Sequence, residues 1–233
     1  AIIQALISEL EQDDADLKVA DMLVAKYPKA RGVRAAILAR QGKRDEALKI
    51  FLDVISDGSE AQVREAARNS LALITRDKFD PAAIALAEKV VDAAREKDKA
   101  STDLLAMAGF IRHFQGRYDE EVKIYEDTLA SAPEDYQVRN NLAWTLSEGL
   151  HKPDVALDQI NRAIKKAVIV SPQFYDTRGV IYTRMGKYDD AIRDLELAVR
   201  DRPTGPVWAH LARAYKLAGR DDDFARARDS ARK

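Results

Sequence analysis

One short phrase recurs along this chain and limits what it can fold into. It reads Gln41-Gly42-Lys43-Arg44-Asp45-Glu46, then Gln115-Gly116-Arg117-Tyr118-Asp119-Glu120. It returns as Met185-Gly186-Lys187-Tyr188-Asp189-Asp190 and as Ala218-Gly219-Arg220-Asp221-Asp222-Asp223. Each copy joins two amphipathic stretches. A glycine that ends one helix, followed by acids that open the next, is the turn of a helical hairpin. Hairpins repeated in series bury their apolar faces on one another rather than around one central core. Arrays of this kind usually bind and seldom catalyse.

Composition agrees with a folded helical chain. Of 233 residues, 46% are hydrophobic and 33% charged, with seven prolines. Alanine, leucine, lysine, arginine and the acids dominate, and all but aspartate favour helix. Charges of both signs alternate at helical spacing, which describes a solvated outer face. The net charge is −1, so no surplus of cations exists to displace counterions from a nucleic acid, and no nucleic-acid partner is expected. With no cysteine, disulfides and thiolate metal sites are excluded. No apolar run is long enough to span a bilayer, so no direct membrane insertion is expected. The chain starts at Ala1-Ile2-Ile3 without a methionine and reads as a fragment of a longer protein.

The periodicity predicts seven helix pairs: 2–11 with 14–26, 29–41 with 44–56, 59–76 with 80–96, 101–115 with 118–132, 136–148 with 153–167, 172–185 with 188–200, and 205–218 with 221–232. The corresponding repeats lie near 1–27, 28–58, 59–100, 101–135, 136–171, 172–204 and 205–233, as one solenoid. Pro81, Pro153, Pro172 and Pro206 stand at helix starts, where a missing amide hydrogen costs no helix bond. Asp80 and Ser171 precede two of them as candidate N-caps. Gly116, Gly186 and Gly219 fall at helix ends, where left-handed backbone is needed.

The register within the pairs resembles the tetratricopeptide repeat, whose pattern is Trp-x2-Leu-Gly-x2-Tyr, then Ala-x3-Phe and a closing proline. The last pair has Trp208, Leu211, Ala212 and Tyr215. The sixth has Tyr175, Gly179 and Tyr182, then Ala191, Leu195, Ala198 and Pro203. The fifth has Leu142, Ala143 and Leu146, then Ala156, Ile160 and Ala163. The fourth has Leu105, Ala108 and Gly109, then Glu121, Tyr125 and Pro133. The second has Ala47 and Phe51. Glu121 and Arg112 depart from the pattern, and the resemblance is weakest over 59–96, where the second helix reads about one turn longer. The resemblance implies an all-α, right-handed superhelical solenoid of antiparallel pairs whose concave wall is built by the first helix of each pair.

It also implies which residues face that wall. They are Asp103, Ala106, Phe110, His113 and Phe114 in the fourth pair. In the fifth they are Gln137, Asn140, Asn141, Trp144, Ser147 and Glu148. The sixth supplies Gln173, Asp176, Thr177, Val180, Thr183 and Arg184, and the last Ala209, His210, Arg213 and Lys216. Phe110, Phe114 and Trp144 are aromatics where the pattern demands none, and exposed aromatics are frequent interface anchors. Asn140-Asn141 in mid-helix is costly in propensity, and an asparagine at the position of Asn141 grips peptide backbones in several family members. The carboxylate clamp of chaperone-binding members is absent, because its lysine and asparagine positions fall on Ala106 and Phe110. Arg184, Arg213 and Lys216 lean basic, offset by Asp176.

No catalytic constellation emerges. His113, His151 and His210 lack partners at ligand spacing. The acidic pairs sit where they complement helix dipoles, and no phosphate loop or nucleophile motif occurs. The expected function is therefore a non-catalytic interaction module, without metal or cofactor, holding a peptide or partner domain in its groove. Two rivals are a recognition arm of a larger enzyme and an RNA-binding hairpin repeat. The first needs a catalytic domain outside the fragment; the second needs a basic groove and a recurring base-reading pair.

Overall fold

In a computed structural model, residues 13–76, 80–99 and 101–232 are described. They contain thirteen α-helices. The expected first helix, 2–11, lies outside the described residues. The helices are α1 (Asp13–Lys26), α2 (Arg31–Arg40), α3 (Arg44–Asp57), α4 (Glu60–Arg76), α5 (Pro81–Lys97) and α6 (Thr102–Phe114). They continue as α7 (Tyr118–Ser131), α8 (Tyr136–Trp144), α9 (Pro153–Lys166), α10 (Pro172–Arg184), α11 (Tyr188–Asp201), α12 (Gly205–Leu217) and α13 (Asp221–Ala231). Two compact units result, residues 1–114 and 115–233.

In the first unit, successive helices pack on one another from α1 to α6, and α3 also meets α5. Phe51, Leu38, Leu48, Val63 and Val90 are fully buried there. The α4–α5 pair is long, each helix having 17 residues, so the extra turn expected of the second helix belongs to both. Arg112, a departure from the repeat pattern, is buried among acids: Nη1 lies 3.2 Å from a Glu88 carboxylate oxygen and Nη2 donates to Asp92 at 2.8 Å. Asp80 caps α5 by accepting from the Ala82 amide at 2.9 Å. That bond, with help from Arg44, holds the Asp80 carboxyl below its ordinary pKa. A depressed folded pKa contributes stability that is complete above the unfolded value and lost as pH falls through the folded one. The protection of the Ala82 amide, its exchange slowed relative to an unfolded chain at the same pH, should thus fall in acid below about pH 4, and Asp80→Asn should blunt that pH dependence.

In the second unit the pairs α8–α9, α10–α11 and α12–α13 pack in sequence, each against the next. Leu195, Ile160 and Ile181 are fully buried. Glu121, the other departure, is buried and accepts a bond from the Tyr125 hydroxyl at 3.3 Å. Burial first, and Glu121 second, push the Tyr125 phenol well above its ordinary pKa. Pairing a non-apolar residue with a hydroxyl donor is how the repeat tolerates it.

The recurrent turn has one geometry. Gly42, Gly116, Gly186 and Gly219 have φ of 78°, 70°, 73° and 75°, left-handed values that glycine adopts without a Cβ clash. In three of these turns the next residue closes the helix: Lys43 donates to Leu38, Lys187 to Tyr182 and Arg220 to Tyr215, at 2.9–3.0 Å. These are the six-to-one bonds of a Schellman motif.

Gly179 serves packing instead. A Cβ there would lie 2.5 Å from Leu195 Cγ and 3.2 Å from the Ala191 carbonyl. The backbone carbonyl has little room to retreat, so α10 and α11 approach as closely as they do only because residue 179 has no side chain. Gly179→Leu should cost at least ~1–3 kcal/mol in urea unfolding. An unchanged midpoint would show that the α10–α11 contact is looser than this.

Candidate functional site

The fifth pair breaks the rhythm. Twelve residues separate Gly109 from Glu121, Gly179 from Ala191 and Ala212 from Phe224, but thirteen separate Ala143 from Ala156. Both alanines of the longer interval are fully buried, so the extra residue has to be absorbed between them. It goes into one turn of π-helix, Thr145–Gly149, where a continuous α-helix through 148 was expected. Leu150 donates to the Thr145 carbonyl at 3.1 Å, and Lys152 reaches back to Leu146 at 2.8 Å. His151 takes the position held by glycine in the other turns, at φ 55°, an uncommon conformation for a non-glycine residue. Single π-turns often mark functional places in helices, and this one carries Ser147 and Glu148.

Glu148 and its neighbours form a network across α8, α10 and α12. Arg184 clamps Glu148 with two hydrogen bonds, Nε to one carboxylate oxygen and Nη2 to the other, the latter at 2.7 Å. The pairing raises the Arg184 pKa further. Arg184 Nη1 also lies 3.3 Å from His151 Nδ1. From the other side, His210 Nδ1 meets Asp176 at 2.7 Å. The His210 ring lies 5.8 Å from the Trp144 ring, tilted by 44°. Trp144 is half-buried. With Glu148, Val180, Thr183, His210 and Arg213 it lines a pocket of about 90 Å³.

Several residues expected on the groove wall are buried. Asn140 and Thr177 are buried, 1% and 2% exposed, and Ser147, Val180 and Thr183 are buried too. Neighbouring helices cover most of their surface, because consecutive first helices pack closely, although Val180 and Thr183 still line the pocket beside Trp144. Asn141 stays half-exposed, accepting at Oδ1 from Gln137 at 3.3 Å and Asn140 at 3.4 Å. The basic lean is also smaller than the residue types suggest. Glu148 neutralises Arg184, leaving exposed Arg213 and Lys216 as the cations of that face, with Lys216 5.5 Å from the Phe224 ring.

In the first unit, Phe110 packs on Phe114 at 4.4 Å and His113 meets Phe114 edge-on at 5.9 Å. Phe114 is 42% exposed. Among the described residues, no group of three or more histidines and acids is placed to hold a metal ion.

Sequence reasoning missed the bridge between pairs formed by Glu148 and Arg184. It also missed Arg178, which donates to both Asp194 oxygens at 2.6 and 3.0 Å and to Asn161 at 3.1 Å. Its guanidinium lies 5.8 Å from the Tyr175 and Tyr182 rings. The one-residue excess in the fifth pair was a legible signal for the π-turn. Neither ion pair had a sequence signal, since Arg and acid pairs abound at this spacing.

Comparison with known proteins agrees with the helical-hairpin fold. Residues 172–203 match the tetratricopeptide repeat family. No curated protein matches the chain significantly. Among solved structures, PilW, described as a widely conserved type IV pilus biogenesis factor, is 17% identical with a TM-score of 0.61, over 73% of this chain and 76% of that one. A thermophilic TPR protein of Thermus thermophilus is 18% identical with a TM-score of 0.59, over 72% and 92%. MamA AMB-1 is 20% identical with a TM-score of 0.50, over 71% and 95%. At such identities the likeness is one of fold. That fold generally serves as a non-catalytic scaffold for protein–protein interaction. The chain thus carries a tetratricopeptide repeat at 172–203, within an all-α fold of the tetratricopeptide-repeat kind.

Proposed function

We propose that the second unit binds a peptide or partner segment along the face shared by α8, α10 and α12. The observation that carries this reading is Trp144. It is an aromatic outside the repeat pattern, half-open, at a pocket where three first helices converge. Around it the polar groups are already ordered by one another: Glu148 by Arg184, and His210 by Asp176. Ordered side chains lose little entropy when a ligand arrives, which favours affinity. Asn141 adds a side-chain amide and Arg213 an exposed guanidinium, fitting an extended backbone with a carboxylate nearby. Phe110, His113 and Phe114 form an aromatic group within the first unit and are proposed as a contact of that unit alone.

The test is affinity capture with the purified chain, followed by titration of the captured partner against wild type and Trp144→Ala. Equal affinity in the two, with both folded, would remove Trp144 and this face from the reading.

A further inference from the structure

Two aliphatic side chains stand almost entirely in solvent at the connection between α9 and α10. Val168 is 99% exposed and Ile169 86%. Ala167 and Val170 flank them, making a four-residue aliphatic run outside any helix. Scattered exposed hydrophobics are ordinary. The other large ones among the described residues range from 42% for Phe114 to 73% for Met22, and no two of them are consecutive in sequence. This pair is contiguous, bare and at a loop tip.

The surrounding charge is one-sided. From 159 to 175 the chain has no acid, while Arg162, Lys165 and Lys166 lie in that stretch, in a protein whose net charge is −1. Arg162 pairs with Asp158 at 2.9 Å. Lys165 and Lys166 are exposed, and neither forms an ion pair among the described residues. A helix dipole favours lysines in the last turn of α9. It gives no reason for two bare β-branched side chains directly beyond them.

We propose that the 165–170 segment is a contact point for an anionic lipid surface. Val168 and Ile169 enter the boundary between headgroups and acyl chains, and Lys165 and Lys166 meet headgroup phosphates. The shape and chemistry favour lipid over a protein pocket. The tip is convex and purely aliphatic, with none of the Trp, Tyr or Arg that dominate protein hot spots. Fluid hydrocarbon accepts such a tip without a complementary cavity, and nearby lysines are drawn to anionic leaflets. The contact lies on the membrane: no described helix is long and apolar enough to cross one. It amends the sequence-based expectation of no insertion for this loop alone, and it shares no residue with the groove.

The experiment floats the full chain with vesicles of phosphatidylcholine, alone or mixed equally with phosphatidylglycerol. The chain should float with the anionic vesicles at low salt and poorly with the neutral ones. The double substitution Val168→Asn with Ile169→Asn should lower bound protein about tenfold or more at every salt concentration. Lys165→Ala with Lys166→Ala should weaken binding and flatten its salt dependence. All four side chains are solvent-facing, so thermal melting should match wild type and separate lost binding from lost fold. Wild-type protein that ignores both vesicles overturns the proposal. So does anionic-vesicle binding that survives the asparagine pair, because the attraction is then charge alone. Loss of a captured protein on the asparagine pair, with no vesicle binding by wild type, overturns it in favour of a protein contact.

Discussion

Arg178→Ala should destabilise the second unit by roughly 3–5 kcal/mol, the cost of leaving a buried charge without its partner. Asp194 is only 4% exposed and receives both hydrogen bonds of the guanidinium fork. That pairing is the main cause of the raised Arg178 pKa, outweighing the opposing effect of burial. Arg178 also binds Asn161 on α9 and lies against Tyr175 and Tyr182 on its own helix. One side chain therefore ties α9, α10 and α11 together. With the arginine gone, the Asp194 carboxylate loses both donors and is left unpaired or takes up a proton. Urea unfolding with hydrogen exchange resolved by segment would show the loss centred on α10 and α11, since repeats contact mainly their neighbours. Removing both charges, as Arg178→Met with Asp194→Leu, should recover most of the loss. A single Arg178→Ala that unfolds like wild type would mean that the pair is far more hydrated than its burial implies.

Trp144→Ala should weaken partner binding by ~2 kcal/mol or more while the array stays folded. A large ring at a pocket centre excludes water from the polar contacts around it, and truncation re-wets all of them. Trp144 borders Glu148, His210 and Arg213 in just such a place. Because the ring is half-buried, its removal should cost stability only ~1–2 kcal/mol, below the loss for a fully buried aromatic. Asn141→Ala should weaken binding less, by ~0.5–1.5 kcal/mol, one neutral hydrogen bond. Calorimetric titration measures both. If Trp144→Ala instead collapses thermal stability and the remaining folded protein binds as before, Trp144 is a core residue.

Much of the architecture was legible because its causes are local. The glycine of each turn is demanded by a backbone φ near 75°, and Asp80 and Ser171 cap the helices whose starts they marked, accepting from Ala82 and Gln173. Helix ends fell within a few residues of expectation, since prolines, caps and glycines act over one turn of chain. The extra residue of the fifth pair was countable too, although its form, a π-turn with His151 left-handed, required knowing that Ala143 and Ala156 were both anchored in packed helices.

What the sequence by itself determined, then, is the helix pairs, their turns and the apolar face of each helix. Those follow from propensities and periodicities acting within a few residues. Only the tertiary structure decided which polar residues on first helices remain at the surface. Asn140 and Asn141 are neighbours in sequence, yet one is buried and the other half-open. Glu148 and Arg184, and Asp176 and His210, meet across 36 and 34 residues. Whether such side chains touch depends on the rotation of each helix and its distance from the next. Those are set by the summed packing of small residues such as Gly179 against Leu195, and no local rule of sequence states that sum.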